Sequence, residues 1–281
     1  MPADLAIVTD STAYLPQDAV DRHGITVVPL SVAVGDEVLD EGVEISPKDV
    51  AEALRGKRRV TTSRPNPETF AAAYRAAAES GATGVVSLHL SAELSGTCEA
   101  ARLAAAEAPI PVRVVDSRLV GMALGYCVLT AARSAESGLS LDEVAASATR
   151  RAGLTSGFFY VDTLEHLRRG GRIGAARALL GSALAVKPLL HLSGGRIEPL
   201  EKVRTASRAI ARLEEIAVER AADREVDIAV HHLASADRAE PLAERLRERV
   251  PGLRELYVGE VGAVIGAHVG PGLLAVVLSP R

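Results

Sequence analysis

Short apolar runs that alternate with clearly punctuated helical stretches constrain this chain more than any other feature. Runs at residues 4–9, 25–28, 85–90 and 112–115 have the length of strands and few polar interruptions. Between them, Ser46-Pro47-Lys48-Asp49 sets a capping hydroxyl, a first-turn proline and an acid in the order that starts a helix, and Gly56 stops it. Asn66-Pro67-Glu68 does the same for residues 70–80, and Asp10-Ser11-Thr12 turns toward a helix with Pro16 near its start. Strands separated by helices of about ten to fifteen residues predict a parallel, doubly wound sheet of the α/β class. Residues 32–38, with Gly35-Asp36 at their centre, predict a hairpin inserted into that scheme.

The texture changes after a helix that starts at Ser140-Leu141-Asp142-Glu143 and ends near Gly153. A strand at 157–161 follows, then helical stretches at 163–168 and 173–184 around Arg169-Gly170-Gly171-Arg172, then a hairpin of 186–192 with 196–203. A charged helix over 205–222, a strand at 227–232, a helix over 238–250 and strands at 253–258 and 273–278 complete the set. Hairpin strands followed by helix-separated strands predict an α+β domain, a mixed sheet with helices on one face. The boundary falls near residue 150. Residues 1–150 then form an α/β domain that carries the hydroxyl-rich loops, and residues 151–281 the α+β domain.

At 281 residues the chain is comfortable for two domains, and 48% apolar residues supply a sizeable core. Aromatic residues make up only 3%, with no Trp, and the net charge is −4. A nucleic-acid binder needs stacking platforms and a basic excess, so that class is excluded. Cys98 and Cys127 lack C-x-x-C spacing and read as buried thiols on helices in a reducing cytoplasm. His231 and His232 are adjacent on a strand and point to opposite faces, so no metal site is expected there. Met1-Pro2-Ala3 brings no basic leader, so no signal peptide is expected. Residues 261–278 approach membrane-spanning length, but Gly262, Gly266, Gly270, Pro271 and Gly272 interrupt them. A short buried helix, a glycine turn and a core strand are expected instead, and the chain reads as soluble and cytoplasmic.

In an open α/β sheet, ligands bind beyond the carboxyl ends of the strands. Asp10-Ser11-Thr12, Thr61-Thr62-Ser63, the stretch from Ser91 to Thr97, and Asp116-Ser117 fall there on this reading. For Ser11 and Ser117, helix capping is explanation enough. Thr62 and Ser95 stand on different turns that this topology brings to one rim. Each turn leads into a helix whose first N–H groups lack partners and whose dipole favours negative charge. The pair therefore predicts a site for a small anion such as a carboxylate.

The run Ile7-Val8-Thr9-Asp10-Ser11-Thr12-Ala13-Tyr14-Leu15-Pro16 resembles the opening of the DegV family. Thr62-Ser63-Arg64-Pro65, Leu94-Ser95-Gly96-Thr97, Val115-Asp116-Ser117, the block from Glu165 to Ile173, Lys187-Pro188, Val203-Arg204-Thr205 and the block from Gly266 to Gly272 follow in the family's order and spacing. Members of that family are two-domain proteins that enclose a fatty acid, and some serve as the acyl-binding subunit of a bacterial fatty-acid kinase. The resemblance thus implies a long-chain fatty acid such as palmitate as ligand. It also implies a separate ATP-dependent fatty-acid kinase subunit as partner, no cofactor, and a second domain closing over the acyl chain. It places the carboxylate on Thr62 and Ser95, with Ser63 and Gly96 alongside and His268 close by. Arg64 stands where the family usually has an uncharged amide, and Tyr14 where it usually has an acid, which bears on head-group preference. Arg168, Arg169, Arg172, Lys187, Lys202 and Arg204 make the second domain locally basic. That face reads either as solvated surface or, following the family, as a docking face for an acidic kinase or for transient contact with an anionic membrane. Arg172 and Arg204 mark it.

Burying acyl methylenes yields about 0.8 kcal/mol each, so some fourteen give roughly 11 kcal/mol gross before the costs of binding. The carboxylate must leave water, and two hydroxyl donors plus helix N-terminal amides offset part of that penalty. A protonated His268 adds charge, a neutral one only a hydrogen bond, and the plain alternative is a histidine satisfied among turn carbonyls. The sequence contains no G-x-x-x-x-G-K-[ST] and no G-x-S-x-G. The run from Gly270 to Ala275 imitates a dinucleotide fingerprint but lies too near the chain end for the βαβ unit such a site requires. The chain is therefore expected to carry and present a fatty acid rather than to act as an enzyme. The alternative is a Ser-dependent acyl-ester hydrolase using Ser95, Thr62 and His268, for which no acid is evident to orient the histidine.

Overall fold

The computed structural model describes residues 4–179 and 187–281. Along the chain the elements are β1 (Leu5–Asp10), α1 (Gln17–His23), β2 (Thr26–Val28), β3 (Ser31–Val34), β4 (Glu37–Asp40), α2 (Pro47–Arg55), β5 (Val60–Ser63), α3 (Pro67–Glu79), β6 (Gly84–His89), α4 (Thr97–Ala105), β7 (Val112–Asp116), α5 (Met122–Glu136) and α6 (Leu141–Leu154). They continue as β8 (Ser156–Tyr160), α7 (Glu165–Arg169), β9 (Lys187–Ser193), β10 (Arg196–Val203), α8 (Ala206–Ala221), β11 (Val226–His232), α9 (Ala236–Arg249), β12 (Leu253–Glu260), α10 (Ala263–Val269) and β13 (Leu274–Pro280). The helix expected at 173–184 is a 3-10 helix over Gly174–Leu179. Residues 180–184 of that stretch, Val186 of the following strand and Met1-Pro2-Ala3 lie outside the described residues.

Helix starts follow the local code. Ser46 and Asp49 form a reciprocal capping box around Pro47, and the Asn66 side chain accepts from the Glu68 amide beside Pro67. Residues 261–278 resolve into α10, a glycine turn and β13, and among the described residues no helix is long and apolar enough to cross a membrane. Cys98 and Cys127 are buried thiols on α4 and α5, and burial pushes both up to about 12.

The chain divides into two units. The first, residues up to Ser31 with Ser63–Leu154, holds a wholly parallel sheet in the order β2-β1-β6-β7. The chain runs outward from β1 to β2 and later outward from β6 to β7, so the strand order reverses between β1 and β6. That reversal is where α/β sheets open a crevice. Phe70 and Tyr74 of α3 and Ala100, Ala101 and Ala104 of α4 pack against Val8, Val28 and Val85. Every residue of β6 is buried, as a central parallel strand requires.

The second unit holds a mixed sheet in the order β10-β9-β8-β13-β11-β12, in which only β11 and β12 run parallel. Leu213, Ile216 and Ala217 of α8 and Leu242, Ala243 and Leu246 of α9 share one core with Phe158, Tyr160, Ile228, Val230, Val276 and Leu278. A separate three-stranded sheet, β4-β3-β5, contains the hairpin expected around Gly35-Asp36.

Two expectations need correcting. A single cut near residue 150 assigns all earlier residues to the first domain, whereas Val32–Thr62 groups with Thr155–Arg281. The cause is α10: its Val264 amide donates to the buried Glu41 carboxylate at 2.8 Å, and Val50 of α2 packs against Gly266. Thr61-Thr62-Ser63 also does not form a turn at the rim of the parallel sheet. These residues belong to β5, in the three-stranded sheet. Val60, Thr61 and Thr62 are β-branched, and that strand preference outweighs the nearby helix signal.

Candidate functional site

Along β5, half-buried and exposed positions alternate, so Val60 and Thr62 turn inward while Thr61 and Ser63 face out. Thr62 Oγ1 lies 2.8 Å from Nε2 of His268, in the last turn of α10. Burial pushes this imidazole down to about 4, and the Arg172 guanidinium adds repulsion against a proton. The ring is therefore neutral at pH 7. Its other nitrogen, Nδ1, is buried with no hydrogen-bond partner among the described residues. A bare acceptor costs less than a bare N–H, so the proton belongs on Nε2, and Thr62 Oγ1 accepts it. The Thr62 hydroxyl proton is then available for donation to something else.

Glycines let this pair form. A Cβ on Gly170 would stand 2.1 Å from His268 Nδ1. In the reverse sense, Gly270 has φ +73°, and a Cβ there would stand 2.2 Å from His166 Cδ2. Arg172 donates to the Gly170 carbonyl at 2.7 Å and so holds that loop in place. Gly170→Ala is expected to drive the imidazole off Thr62 and to cost about 1–3 kcal/mol of stability, the range for overpacking. Urea melts measure the cost. Histidine NMR should show the ring titrating nearer 6.5 once it leaves its pocket, and an unchanged His268 titration would refute the clash.

In the first unit, the loop after β6 is tied at successive residues. The Leu90 amide donates to Asp10 Oδ2 at 3.0 Å, the Ser91 amide to the Leu119 carbonyl at 2.9 Å, and the Ala92 amide to Asp116 Oδ1 at 3.1 Å. The Leu94 and Ser95 amides return to the Ser91 carbonyl at 3.0 and 3.1 Å. Ser95 Oγ lies 2.8 Å from Thr97 Oγ1. Gly96 is the N-cap of α4 and brings no side-chain cap, which leaves the first amides of that helix for a ligand or solvent. Arg64 lies beside Gly96 and pairs with Glu99 at 3.1 Å, both exposed, so its charge is matched within the unit.

Ser11 and Ser117 do not cap helices as expected, since Asp10, Pro16 and Gly121 hold the nearby cap positions. They tie loops instead, Ser11 Oγ accepting from the Leu30 amide, Ser117 Oγ donating to the His89 carbonyl and accepting from the Leu119 amide. The structure thus joins Thr62 to His268 in the second unit and places Ser63, Ser95 and Gly96 in the first. Arg172 sits under Gly170, while Arg204 is exposed between β10 and α8. Sequence reasoning missed Gly170 as the seat of His268 and Asp10 as the anchor of Leu90. The only local signals were a glycine pair in a helix-like stretch and an acid at the end of an apolar run.

A family model described as an uncharacterised protein of the DegV family matches residues 4–281. The chain belongs to the DegV family. It is 68% identical over 281 residues, all of both chains, to a DegV domain-containing protein of Streptomyces coelicolor. A solved DegV family protein from Thermus thermophilus, described as binding fatty acid, superposes with a TM-score of 0.93 at 38% identity over 99% of this chain and 100% of that one. DegV of Bacillus subtilis, described as a fatty acid binding protein, gives 0.92 at 34% identity over 99% and 100% of the two chains.

Proposed function

We propose that this chain is a carrier of long-chain fatty acids such as palmitate, with the acid's carboxylate held by the Thr62 and Ser95 hydroxyls and with Ser63, Gly96 and His268 around it. The Thr62–His268 pair carries this reading. A neutral imidazole occupies the acceptor side of Thr62 and leaves its proton to donate, which suits an anion and gives a neutral ligand less. Ser95 next to the uncapped start of α4 offers a second hydroxyl and backbone amides of the same polarity. Fatty-acid-binding relatives that align over the whole chain support the ligand class.

The carboxylate is then passed, in the cytoplasm, to a separate ATP-dependent kinase that forms the acyl phosphate. Arg172 and Arg204 mark its docking face, and the exposure of Arg204 suits that role. Ester hydrolysis by Ser95 is less well supported, because the partner of its hydroxyl is another alcohol, Thr97, which is no base.

Organic extraction of protein purified from bacterial cells, followed by mass spectrometry, is expected to yield a long-chain fatty acid in stoichiometric amount. Delipidated protein is expected to take up palmitate in calorimetry. An empty protein that also ignores palmitate would overturn the reading.

A further inference from the structure

The parallel sheet of the first unit contains a chain of polar side chains that the head-group reading does not use. Ser87 and His89 are two apart on β6, so both leave the same face of the sheet, the face on which α3 packs. Tyr74 Oη donates to Ser87 Oγ at 2.9 Å, and Ser87 Oγ lies 2.7 Å from His89 Nε2. His89 Nδ1 lies 3.0 Å from Oδ2 of Asp10, the last residue of β1. Phe70, one helical turn before Tyr74, meets the His89 ring edge-on with centroids 4.9 Å apart. All four polar side chains have zero exposure.

Donor counting gives the chain one direction. A carboxylate only accepts, so His89 Nδ1 carries a proton. Nε2 then accepts from Ser87, whose oxygen accepts from Tyr74. Every N–H and O–H along the chain then has one acceptor, as burial of polar side chains demands. The Ser-His-Asp order imitates a hydrolytic triad, but Ser87 is closed to solvent and its oxygen is engaged by Tyr74, so no acyl group reaches it.

The far end of the chain explains its use. Asp10 Oδ2 also accepts the Leu90 amide at 3.0 Å, while Oδ1 takes the Thr12 amide at 3.1 Å and the Thr12 hydroxyl at 2.6 Å. One carboxylate therefore joins β1 to β6 at the strand-order reversal and fixes where the Ser91-to-Thr97 loop departs. The Ser91 carbonyl in turn holds the Ser95 amide.

We propose that Tyr74, Ser87, His89 and Asp10 form a positioning relay for the Ser95 loop. Tyr74, Ser87 and His89 hold the Asp10 carboxylate in the orientation that anchors Leu90, and so set where the Ser95 hydroxyl stands. The proposal rests on Ser95 as a carboxylate ligand. Its signature is a loss of discrimination between acid and alcohol, because a displaced hydroxyl weakens the grip on a charge while the apolar chain binds as before.

The test compares affinities for palmitate and for hexadecanol in the full chain. Ser87→Ala cuts the relay in the middle and is expected to lower palmitate affinity about tenfold with hexadecanol affinity unchanged. Tyr74→Phe removes one hydroxyl from a retained ring and is expected to move the same ratio in the same direction by a smaller factor, which keeps the question open to test if Ser87→Ala does not fold. Asp10→Glu is expected to shift the anchor and reproduce the loss. Equal losses for acid and alcohol, or no loss for either, would overturn the relay. A wild-type chain that binds both probes equally would instead overturn Ser95 and Thr62 as carboxylate ligands, and the relay with them.

Discussion

Replacing Thr62 and Ser95 together by Ala is expected to weaken palmitate binding by about 3 kcal/mol, more than a hundredfold in Kd. On the proposed reading each hydroxyl donates to the bound carboxylate, and hydrogen bonds to charge are worth roughly 1.5–3 kcal/mol each. The two losses differ in kind. Ser95→Ala removes a hydroxyl whose neighbour Thr97 survives, whereas Thr62→Ala also strips Nε2 of its partner and leaves His268 with neither ring nitrogen engaged. Thr62→Ala should therefore lower protein stability as well as affinity, and Thr62→Ser should restore both. Calorimetric titration of the two single variants and the double variant separates the effects. If both hydroxyls hold the same carboxylate, the double loss departs from the sum of the single losses. Affinity within threefold of wild type in the double variant would remove both residues from the head-group site.

Most of the local structure was legible in the sequence. The Ser46-to-Asp49 box, Asn66-Pro67 and Thr205 each start the helix their chemistry predicts, and Pro271 flanked by glycines makes the turn between α10 and β13. These are short-range signals, in which the residues that decide and the residues that respond lie within one turn. What escaped was decided at long range. Glu41 joins Val32–Thr62 to the second unit through an amide 223 residues away, and no local pattern announces that pairing. Thr62 meets His268 across 206 residues because Gly170 leaves room for the ring. The family resemblance set both residues at one site, but nothing in the local pattern around either announces their direct hydrogen bond. Ser87 and His89 were read as part of an apolar run, although two polar residues at strand spacing inside a buried segment are the mark of a satisfied network. The strand character of Val60-Thr61-Thr62 was available from β-branching and lost to the stronger proline signal that follows.

Acidification from pH 7 to pH 4.5 is expected to remove several kcal/mol of stability, with the buried histidines as the leading cause. His268 and His231 are each held down to about 4 in the folded chain, and burial is the leading cause for both. In His231 the neutral ring sets Nδ1 against the Gly259 carbonyl at 3.2 Å and meets Tyr257 edge-on. His166, His191 and His232 shift in the same direction, again led by burial. The sign follows from proton counting. Below about 6.5 the unfolded chain takes up protons that the folded chain refuses until about 4. The stabilisation is complete above 6.5, falls as pH drops through that window, and levels off below it. At 1.36 kcal/mol per pH unit, each of the two strongly shifted rings is worth up to about 3 kcal/mol over the full window. Urea unfolding at pH 7, 5.5 and 4.5 measures the fall. His268→Gln keeps a side-chain amide toward Thr62 but cannot titrate, so its stability should vary less with pH than that of the wild type, with the His231 share remaining. A wild-type stability that stays flat from pH 7 to 4.5 would mean that these rings open to water well before the fold does, and that Thr62 does not keep a neutral histidine behind it.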